Sequence, residues 1–195
     1  IERFNPAITQ LKQLIEEGKV GDVLSITTTR AGQFPPQMKD ANVVIDLAVH
    51  DIDIICYLMN ATPSEILGNA GKGLINFRSD HAEIFLKFPK NRSGIVKVNW
   101  ITPRRIRTLT LTGSKGYCDL NFIEQTIQYQ ASVFERKNEG SLEEVCQFSE
   151  SKITSVDVPK GEPLKIELLH FIENIKNDTT PLVSGKVGKT ALELA

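Results

Sequence analysis

The central half of the sequence constrains the fold more than any other feature. Between about residues 65 and 158 helical spacing is absent, and apolar residues alternate with polar ones in runs separated by short turns. The clearest runs are 82–88, 96–100 and 106–111, with turns at 91–94 and 113–116. Consecutive strands on short turns favour a mainly antiparallel sheet with one covered face over a doubly wound parallel sheet.

Helical patterns flank this region. Asn5 is typical of an N-cap and Pro6 of a first helical residue, and apolar residues then recur at helical spacing. The predicted helices span about 6–17, 42–61 and 163–176, and a β-rich strand spans 23–30. The expected class is α+β, an open, mainly antiparallel or mixed sheet with helices on one face. From Gly188 the pattern resembles the opening of a further helix cut short, so we expect truncation there.

Composition excludes several functions. With 23 basic and 24 acidic residues in 195, the chain has no electrostatic footprint for nucleic acid, and no apolar run is long enough to span a membrane. The three cysteines, Cys56, Cys118 and Cys146, contain no C-x-x-C pair and fit neither a disulfide framework nor a thiolate zinc site. We therefore expect a soluble protein of the cytoplasm.

One face of the second predicted helix carries polar residues. At 100° per residue, Asp46, His50, Asp53 and Tyr57 fall within a narrow arc, while the rest of this helix is largely apolar. Burying carboxylates and an imidazole costs several kcal/mol unless they are paired. This stripe should therefore face a hydrogen-bonded partner or a wet cleft.

The stripe allows two interpretations. A carboxylate four residues before a histidine can orient the ring, and a histidine with a pKa near 6.5 suits general acid or base catalysis, which favours Asp46 and His50 as a catalytic pair. The alternative is a buried or capped histidine beside two solvated aspartates, and the spacing does not decide between them. We expect no metal site, because Asp51 lies on a different face from His50 and Asp53.

Arginines are the remaining candidates. Arg30 ends the predicted strand before a Gly- and Pro-containing loop, where it can reach a cleft to bind hydroxyls or phosphate, or lie at the surface. Arg104, Arg105 and Arg107 suggest phosphate binding, but solvated charges on an exposed strand are the commoner explanation. No G-x-G-x-x-G, G-x-x-x-x-G-K-[ST] or G-x-S-x-G motif is present, so the sequence encodes neither a nucleotide-phosphate loop nor a serine nucleophile of that type.

Several motifs together resemble the glucose-fructose oxidoreductase and inositol dehydrogenase (Gfo/Idh/MocA) family. They are Asp46-x-x-x-His50-Asp51-x-Asp53, the preceding Glu2-Arg3-Phe4-Asn5-Pro6-Ala7 and Gly21-Asp22-Val23, and the later Trp100-x-x-Pro103 with Arg107, Gly113-x-x-Gly116 and Pro181-Leu182-Val183-Ser184-Gly185. The resemblance covers nearly the whole chain but only the family's second domain. The opening looks closest to the branch acting on nucleotide-linked N-acetyl sugars.

The resemblance implies that residues 1–195 are a substrate-binding and oligomerisation domain. The N-terminal Rossmann domain, which holds NAD or NADP in this family, would be missing, together with the active-site lysine of a Glu-Lys-Pro motif. His50 would accept a proton as a sugar or nucleotide-sugar hydroxyl loses hydride, with Asp46 as its partner. Arg30, Asp53 and Asn5 are the substrate-binding candidates, and the open sheet face would pair two chains.

Two alternatives remain open within this interpretation. The chain can be a non-catalytic sugar-binding or dimerisation module that has kept the fold. It can also belong to a nicotinamide-dependent glycosidase, in which the hydride is borrowed and returned.

Overall fold

The computed structural model describes residues 1–38, 40–75, 77–138 and 144–195, and the side chains of all these except 135–138 and 144–148. The helices are α1 (Pro6–Glu16), α2 (Val49–Met59), α3 (Pro163–Asn177) and α4 (Gly185–Leu194), with a 3-10 turn at Glu2–Phe4 and a π turn at Val44–Ala48. The strands are β1 (Val23–Gln33), β2 (Glu65–Gly71), β3 (His81–Phe88), β4 (Arg92–Asn99), β5 (Ile101–Gly113), β6 (Gly116–Asn121), β7 (Thr126–Ala131), β8 (Phe134–Asn138), β9 (Glu144–Phe148) and β10 (Ile153–Val156).

Eight strands of the described chain form one sheet in the order β10-β7-β6-β5-β1-β4-β3-β2, and β8 pairs with β9 separately. Every pair in the large sheet is antiparallel except β1 with β4, which is parallel. The parallel pair arises because α2, β2 and β3 intervene before the chain returns beside β1. The predicted α+β class with a mainly antiparallel, mixed sheet is therefore confirmed.

The inner face of the sheet carries the core. Alternate residues of β3 and β4 point under α2, and the inward residues of β5 and β6 continue this layer, so that Ile84, Leu86, Val96, Leu109 and Leu120 are buried. Apolar burial of this kind, at roughly 25 cal/mol per Å², is the main force that holds the helices on the sheet. The period-two pattern of the sequence thus corresponds to one covered face, as expected.

The outer face is different in composition. Its central positions on β1 and β5 are serines and threonines, and Thr27 pairs with Thr110 at the middle. Large exposed apolar side chains of the outer face, such as Leu67 and Phe85, lie on β2 and β3 towards one edge. Tyr117 on β6 and Ile153 on β10 are also exposed on this face towards the opposite edge, so apolar side chains lie on both sides of the hydroxyl-rich centre.

A loop before β3 is organised by one carboxylate. Asp80 is fully buried and accepts hydrogen bonds from the backbone N–H groups of Gly73, Leu74 and Ile75 at 2.6–2.8 Å. Burial alone would raise the pKa of Asp80, but His81 and these three N–H donors hold it well below its ordinary value. The backbone oxygen of Asp80 accepts from the N–H of Trp100 at 2.8 Å, so the loop also fixes the start of β5.

The cysteines whose side chains the structure describes are free. Cys56 is half-buried and Cys118 is buried, and burial raises the pKa of each thiol to about 12. Both therefore serve as apolar packing groups. Cys146 lies outside the residues with described side chains.

Candidate active site

A buried ion-pair cluster joins the sheet to two other elements. Arg30 on β1 is 5% exposed, and its Nε and Nη2 donate to the carboxylate of Asp51 on α2 at 2.9–3.2 Å. Its Nη1 donates to Glu2 Oε1 at 2.6 Å. Burial opposes the charge on Arg30, but Asp51 and Glu2 together raise its pKa above its ordinary value. Arg30 is thus a buried structural cation and not a surface arginine.

A cavity of about 600 Å³ opens beside this cluster, at the end of β1 where the helices no longer cover the inner face. We call it the His50 cavity. It is lined by titratable groups from five elements, namely Glu2, Arg30, Asp46, His50, Arg105 and Arg107, and by the apolar Pro35, Met38, Leu47, Trp100 and Pro103. A concave site of this size with convergent polar groups is the usual form of a small-molecule site.

His50 faces this cavity and is half-buried. Burial and the charge of Arg30 lower its pKa below the ordinary histidine value, against the opposing effect of Glu2 and Asp51. Neither ring nitrogen has a hydrogen-bond partner among the residues that the structure describes. The imidazole is therefore neutral at pH 7 and able to accept a proton from a bound molecule.

Asp46 lines the same cavity but is not bonded to His50. Its Oδ2 accepts from Trp100 Nε1 at 3.1 Å, and Trp100 itself is 3% exposed and stacks edge-on against Phe34 at 5.2 Å. A buried indole N–H requires an acceptor, and Asp46 in the π turn provides it. The expected orientation of the ring by Asp46 is therefore absent, although both residues share one cavity as predicted.

Asp53 and Tyr57 do not lie in the His50 cavity. Asp53 forms a bidentate ion pair with Arg3 at 2.6 and 2.8 Å, and the Arg3 guanidinium lies 4.7 Å from the centre of the Tyr57 ring. These residues line a second cavity of about 410 Å³ near α4. The predicted stripe is thus divided between two cavities along α2, and the geometry gives Asp53 a structural ion pair instead of the expected place beside His50.

Asn5 has a structural role at this position. Its Oδ1 accepts from the N–H of Ala7 at 3.0 Å as the N-cap of α1, and its Nδ2 donates to the carbonyl of Phe122 at 3.0 Å. The side chain is 3% exposed. Both polar ends are committed to the fold, so this geometry does not support the expected substrate contact.

The arginines of β5 lie on two different faces of the sheet, because successive side chains of a strand alternate between faces. Arg104 is exposed and points away from the His50 cavity, whereas Arg105 and Arg107 line it. Arg107 lies directly opposite Arg30 in the sheet and donates from Nη1 to the Ala31 carbonyl at 2.6 Å. The expectation of solvated charges is correct for Arg104 and wrong for Arg107. Period-two spacing was the signal that could have separated them.

The described residues contain neither a metal-binding cluster nor a membrane-spanning helix. No three His, Cys, Asp or Glu side chains in the described ranges are grouped so as to hold a metal ion. None of the described helices has the length and apolar character to cross a membrane.

The open mixed sheet, with a polar cavity beside a half-buried histidine, defines an α+β domain with a candidate small-molecule site. The chain belongs to the Gfo/Idh/MocA family, because the family model described as GFO/IDH/MocA C-terminal domain matches residues 8–119, more than half of its length. The resemblance seen in the sequence motifs is thereby confirmed.

Known relatives are dehydrogenases. The chain is 21% identical over 195 residues to UDP-N-acetylglucosamine 3-dehydrogenase from Acidithiobacillus ferrooxidans, covering 100% of this chain and 58% of that protein. It is 24% identical over 207 residues to myo-inositol 2-dehydrogenase from Thermotoga maritima, covering 98% and 57%. The chain therefore spans little more than half the length of these relatives.

Solved structures share the fold. A structure of the Acidithiobacillus enzyme superposes with a TM-score of 0.79 at 19% identity, covering 98% of this chain and 56% of that one. Levoglucosan dehydrogenase in complex with NADH and L-sorbose superposes with a TM-score of 0.75 at 18% identity, covering 99% and 60%.

The lowered pKa of His50 predicts a pH-dependent stability. Below about pH 6.5, residue 50 binds a proton more readily in the unfolded chain than in the folded chain. The contribution of His50 to the free energy of unfolding is therefore complete above about pH 6.5 and is lost as the pH falls towards the folded pKa. We expect a His50→Gln protein to lose less free energy of unfolding between pH 7.5 and 5.5 than the unchanged protein, as measured by urea denaturation. His81→Gln, at a partly exposed histidine outside this cavity, is the matched control, and an equal loss in all three proteins would contradict the assignment.

Proposed function

We propose that this chain is the substrate-binding part of an NAD- or NADP-dependent dehydrogenase that oxidises a hydroxyl of a sugar or nucleotide sugar. The observation that carries the proposal is His50, a neutral imidazole with no hydrogen-bond partner among the described residues, facing a polar cavity of about 600 Å³. The dehydrogenase relatives and the neighbour with bound NADH support the reaction class.

His50 would take the hydroxyl proton. Loss of hydride from an alcohol carbon is easier when the hydroxyl proton leaves at about the same time, and a positioned base contributes roughly 10² to 10⁴ in rate. Burial and the positive charge of Arg30 lower the pKa of His50, which favours the unprotonated ring before the reaction. Asp46, with Oδ2 held by Trp100, would accept a hydrogen bond from a neighbouring sugar hydroxyl through Oδ1.

The cofactor requires a second domain. The sequence has no G-x-G-x-x-G loop, so the chain does not by itself fit the pyrophosphate of a dinucleotide. When bound, a nicotinamide supplies the hydride acceptor. We propose that a nucleotide-binding domain of the same polypeptide brings it to the His50 cavity, where the open side provides room.

An exposed stripe on α3 supports this arrangement. One side of the helix contacts the N-terminal residues, through the ion pair of Glu167 with the Ile1 amino group at 3.2 Å and the contact of His170 with the Phe4 ring at 5.3 Å. The remaining surface of the helix bears six apolar residues that are 48–65% exposed, namely Leu164, Leu168, Leu169, Phe171, Ile172 and Ile175. A contiguous apolar stripe of this size is normally covered, and we assign the nucleotide-binding domain as its cover.

Oligomerisation through the outer sheet face is the second part of the proposal. The hydroxyl-rich centre around Thr27 and Thr110 has Ile95 and Phe85 on one side and Asp119 on the other, and a second copy can cover it with twofold symmetry. The helices pack against the opposite face and leave this one open.

The cytoplasm is the compartment that fits these features. Cys56 and Cys118 are free thiols, and a pool of nicotinamide cofactor is needed for turnover. We therefore propose a cytoplasmic enzyme.

Residues 1–195 alone should have no dehydrogenase activity, because they lack a phosphate loop for the cofactor. The measurement is NADH or NADPH formation with UDP-N-acetylglucosamine, myo-inositol and glucose, comparing this segment with the full-length gene product. Turnover by the segment that disappears in a His50→Ala version would contradict the proposal.

In the full-length protein, His50→Ala should lower kcat by about 10² to 10⁴, since the base is removed while the cavity stays. The kcat/KM of the unchanged protein should fall only below the ordinary histidine pKa, because the pKa of His50 is lowered. His81→Gln is the control, since it keeps a donor for Asp80. An unchanged kcat in His50→Ala indicates a non-catalytic module, and products without net cofactor reduction indicate the glycosidase alternative.

A charge placed at the centre of the outer face should separate the copies. Thr27→Arg, with the uncharged Thr110 and Ile95 opposite it on the two neighbouring strands, would bury two like charges near the symmetry axis. Light scattering should therefore give the monomer mass for this variant and twice that mass or more for the unchanged protein. Gln13→Arg, on the exposed side of α1, adds the same charge elsewhere and should leave the mass unchanged. A monomer mass for the unchanged protein at high concentration would contradict the proposed oligomerisation.

A further inference from the structure

Two arginines in the His50 cavity have no opposing carboxylate. Arg30 is matched by Asp51 and Glu2, but neither Arg105 nor Arg107 forms an ion pair with any residue in the described ranges. Arg107 donates to the carbonyl oxygens of Ala31 and Ile106, which carry no full charge. The His50 cavity therefore contains two guanidinium groups that no ion pair neutralises. It also contains the Asp46 carboxylate, which accepts from Trp100 Nε1 and forms no ion pair with a described residue.

The strand geometry forces these charges together. Arg105 and Arg107 are two residues apart on β5, so both project from the inner face, and Arg107 stands directly opposite Arg30 on β1. Burial, followed by the charges of Arg30 and Arg105, lowers the pKa of Arg107 to about 10. Like charges at neighbouring positions of a sheet destabilise it, and a half-buried guanidinium adds a desolvation cost. The free-energy cost of holding these guanidinium groups close together is offset when an anion binds between them.

The surroundings fit an anion bound at the edge of the cavity. Arg107 is half-buried and its Nη1 is anchored to the strand, which limits the conformational entropy lost on binding. Arg105 is more exposed and can close over a ligand from the solvent side. Both arginines also line a smaller adjoining cavity of about 270 Å³, beside Phe122 and Gln125, so room for a ligand continues beyond the His50 cavity.

We propose that Arg105 and Arg107 bind the phosphate or diphosphate group of a substrate whose sugar lies against His50. The proposal rests on the proposed function and narrows its substrate to a phosphorylated or nucleotide-linked sugar. Guanidinium groups pair with phosphate oxygens through two parallel charge-assisted hydrogen bonds, which neutral sugar hydroxyls cannot replace. In the isolated sheet these two arginines repel each other, and the bound dianion would remove that repulsion.

Arg104 provides a matched control on the same strand. It precedes Arg105, carries the same charge and is exposed, but it points to the other face and lines neither of these two cavities. Arg104→Gln and Arg105→Gln therefore change the net charge equally and differ only in position. Since Arg105 is exposed, its substitution should leave the thermal unfolding midpoint nearly unchanged, which can be checked beforehand.

The test is binding, measured by calorimetry on the full-length gene product. UDP-N-acetylglucosamine and UDP should bind about tenfold or more weakly to Arg105→Gln than to the unchanged protein, and to Arg104→Gln with less than a twofold change. N-acetylglucosamine should show no difference among the three proteins. Raising the salt concentration should weaken UDP binding to the unchanged protein more than to Arg105→Gln.

Three results would overturn the proposal. The first is equal UDP binding by Arg105→Gln and the unchanged protein. The second is an equal loss of UDP binding in Arg104→Gln and Arg105→Gln. The third is a loss of NADP binding alone, which would assign the anion to the cofactor. The readout does not depend on turnover. If His50→Ala keeps full dehydrogenase activity while Arg105→Gln loses UDP binding, the catalytic assignment fails and the anion site stands.

Discussion

The pairing of Arg30 with Asp51 is the interaction on which the rest of the site depends. It links β1 to α2 in the interior, and Glu2 ties the N-terminal turn to the same guanidinium. Removing one partner of such a buried pair leaves an uncompensated charge and typically costs about 3–5 kcal/mol. Because His50 directly precedes Asp51, the ion pair also determines where the imidazole projects.

The fold follows closely from local patterns, while the contacts in the site do not. Period-two alternation in 82–88 and the Asn5-Pro6 helix start predict β3 and α1 within a residue or so, because strand parity and N-capping act over a few residues. The parallel pairing of β1 with β4 joins residues about 70 positions apart. No local signal specifies that partner, so the sequence predicts a mixed sheet without its strand order.

The candidate site was predicted in part for the same reason. Asp46 and His50 share one cavity, as one helical turn of spacing indicates. The Trp100 indole that donates to Asp46 is 54 residues away in the sequence, and Arg3, which forms the ion pair with Asp53, is 50 residues away. A polar side chain that bonds to such a distant partner is no longer available to a ligand in the cavity. Only the tertiary structure shows which partner is within reach. Tertiary pairing therefore decides which members of a polar stripe remain available to a ligand.

The charges around His50 combine two requirements that usually conflict. A base must stay unprotonated at neutral pH, which a positive neighbour favours, whereas bare positive charges destabilise a buried site. Here the buried cation, Arg30, is neutralised by Asp51 and Glu2, and burial together with the charge of Arg30 lowers the pKa of His50. Arg105 and Arg107 lie on the part of β5 that extends beyond its pairing with β6, where Arg107 is half-buried and Arg105 is exposed, so desolvation costs less and an anionic ligand can reach them. This arrangement of compensated and uncompensated charges would separate the proposed proton transfer from the proposed anion binding within a single cavity.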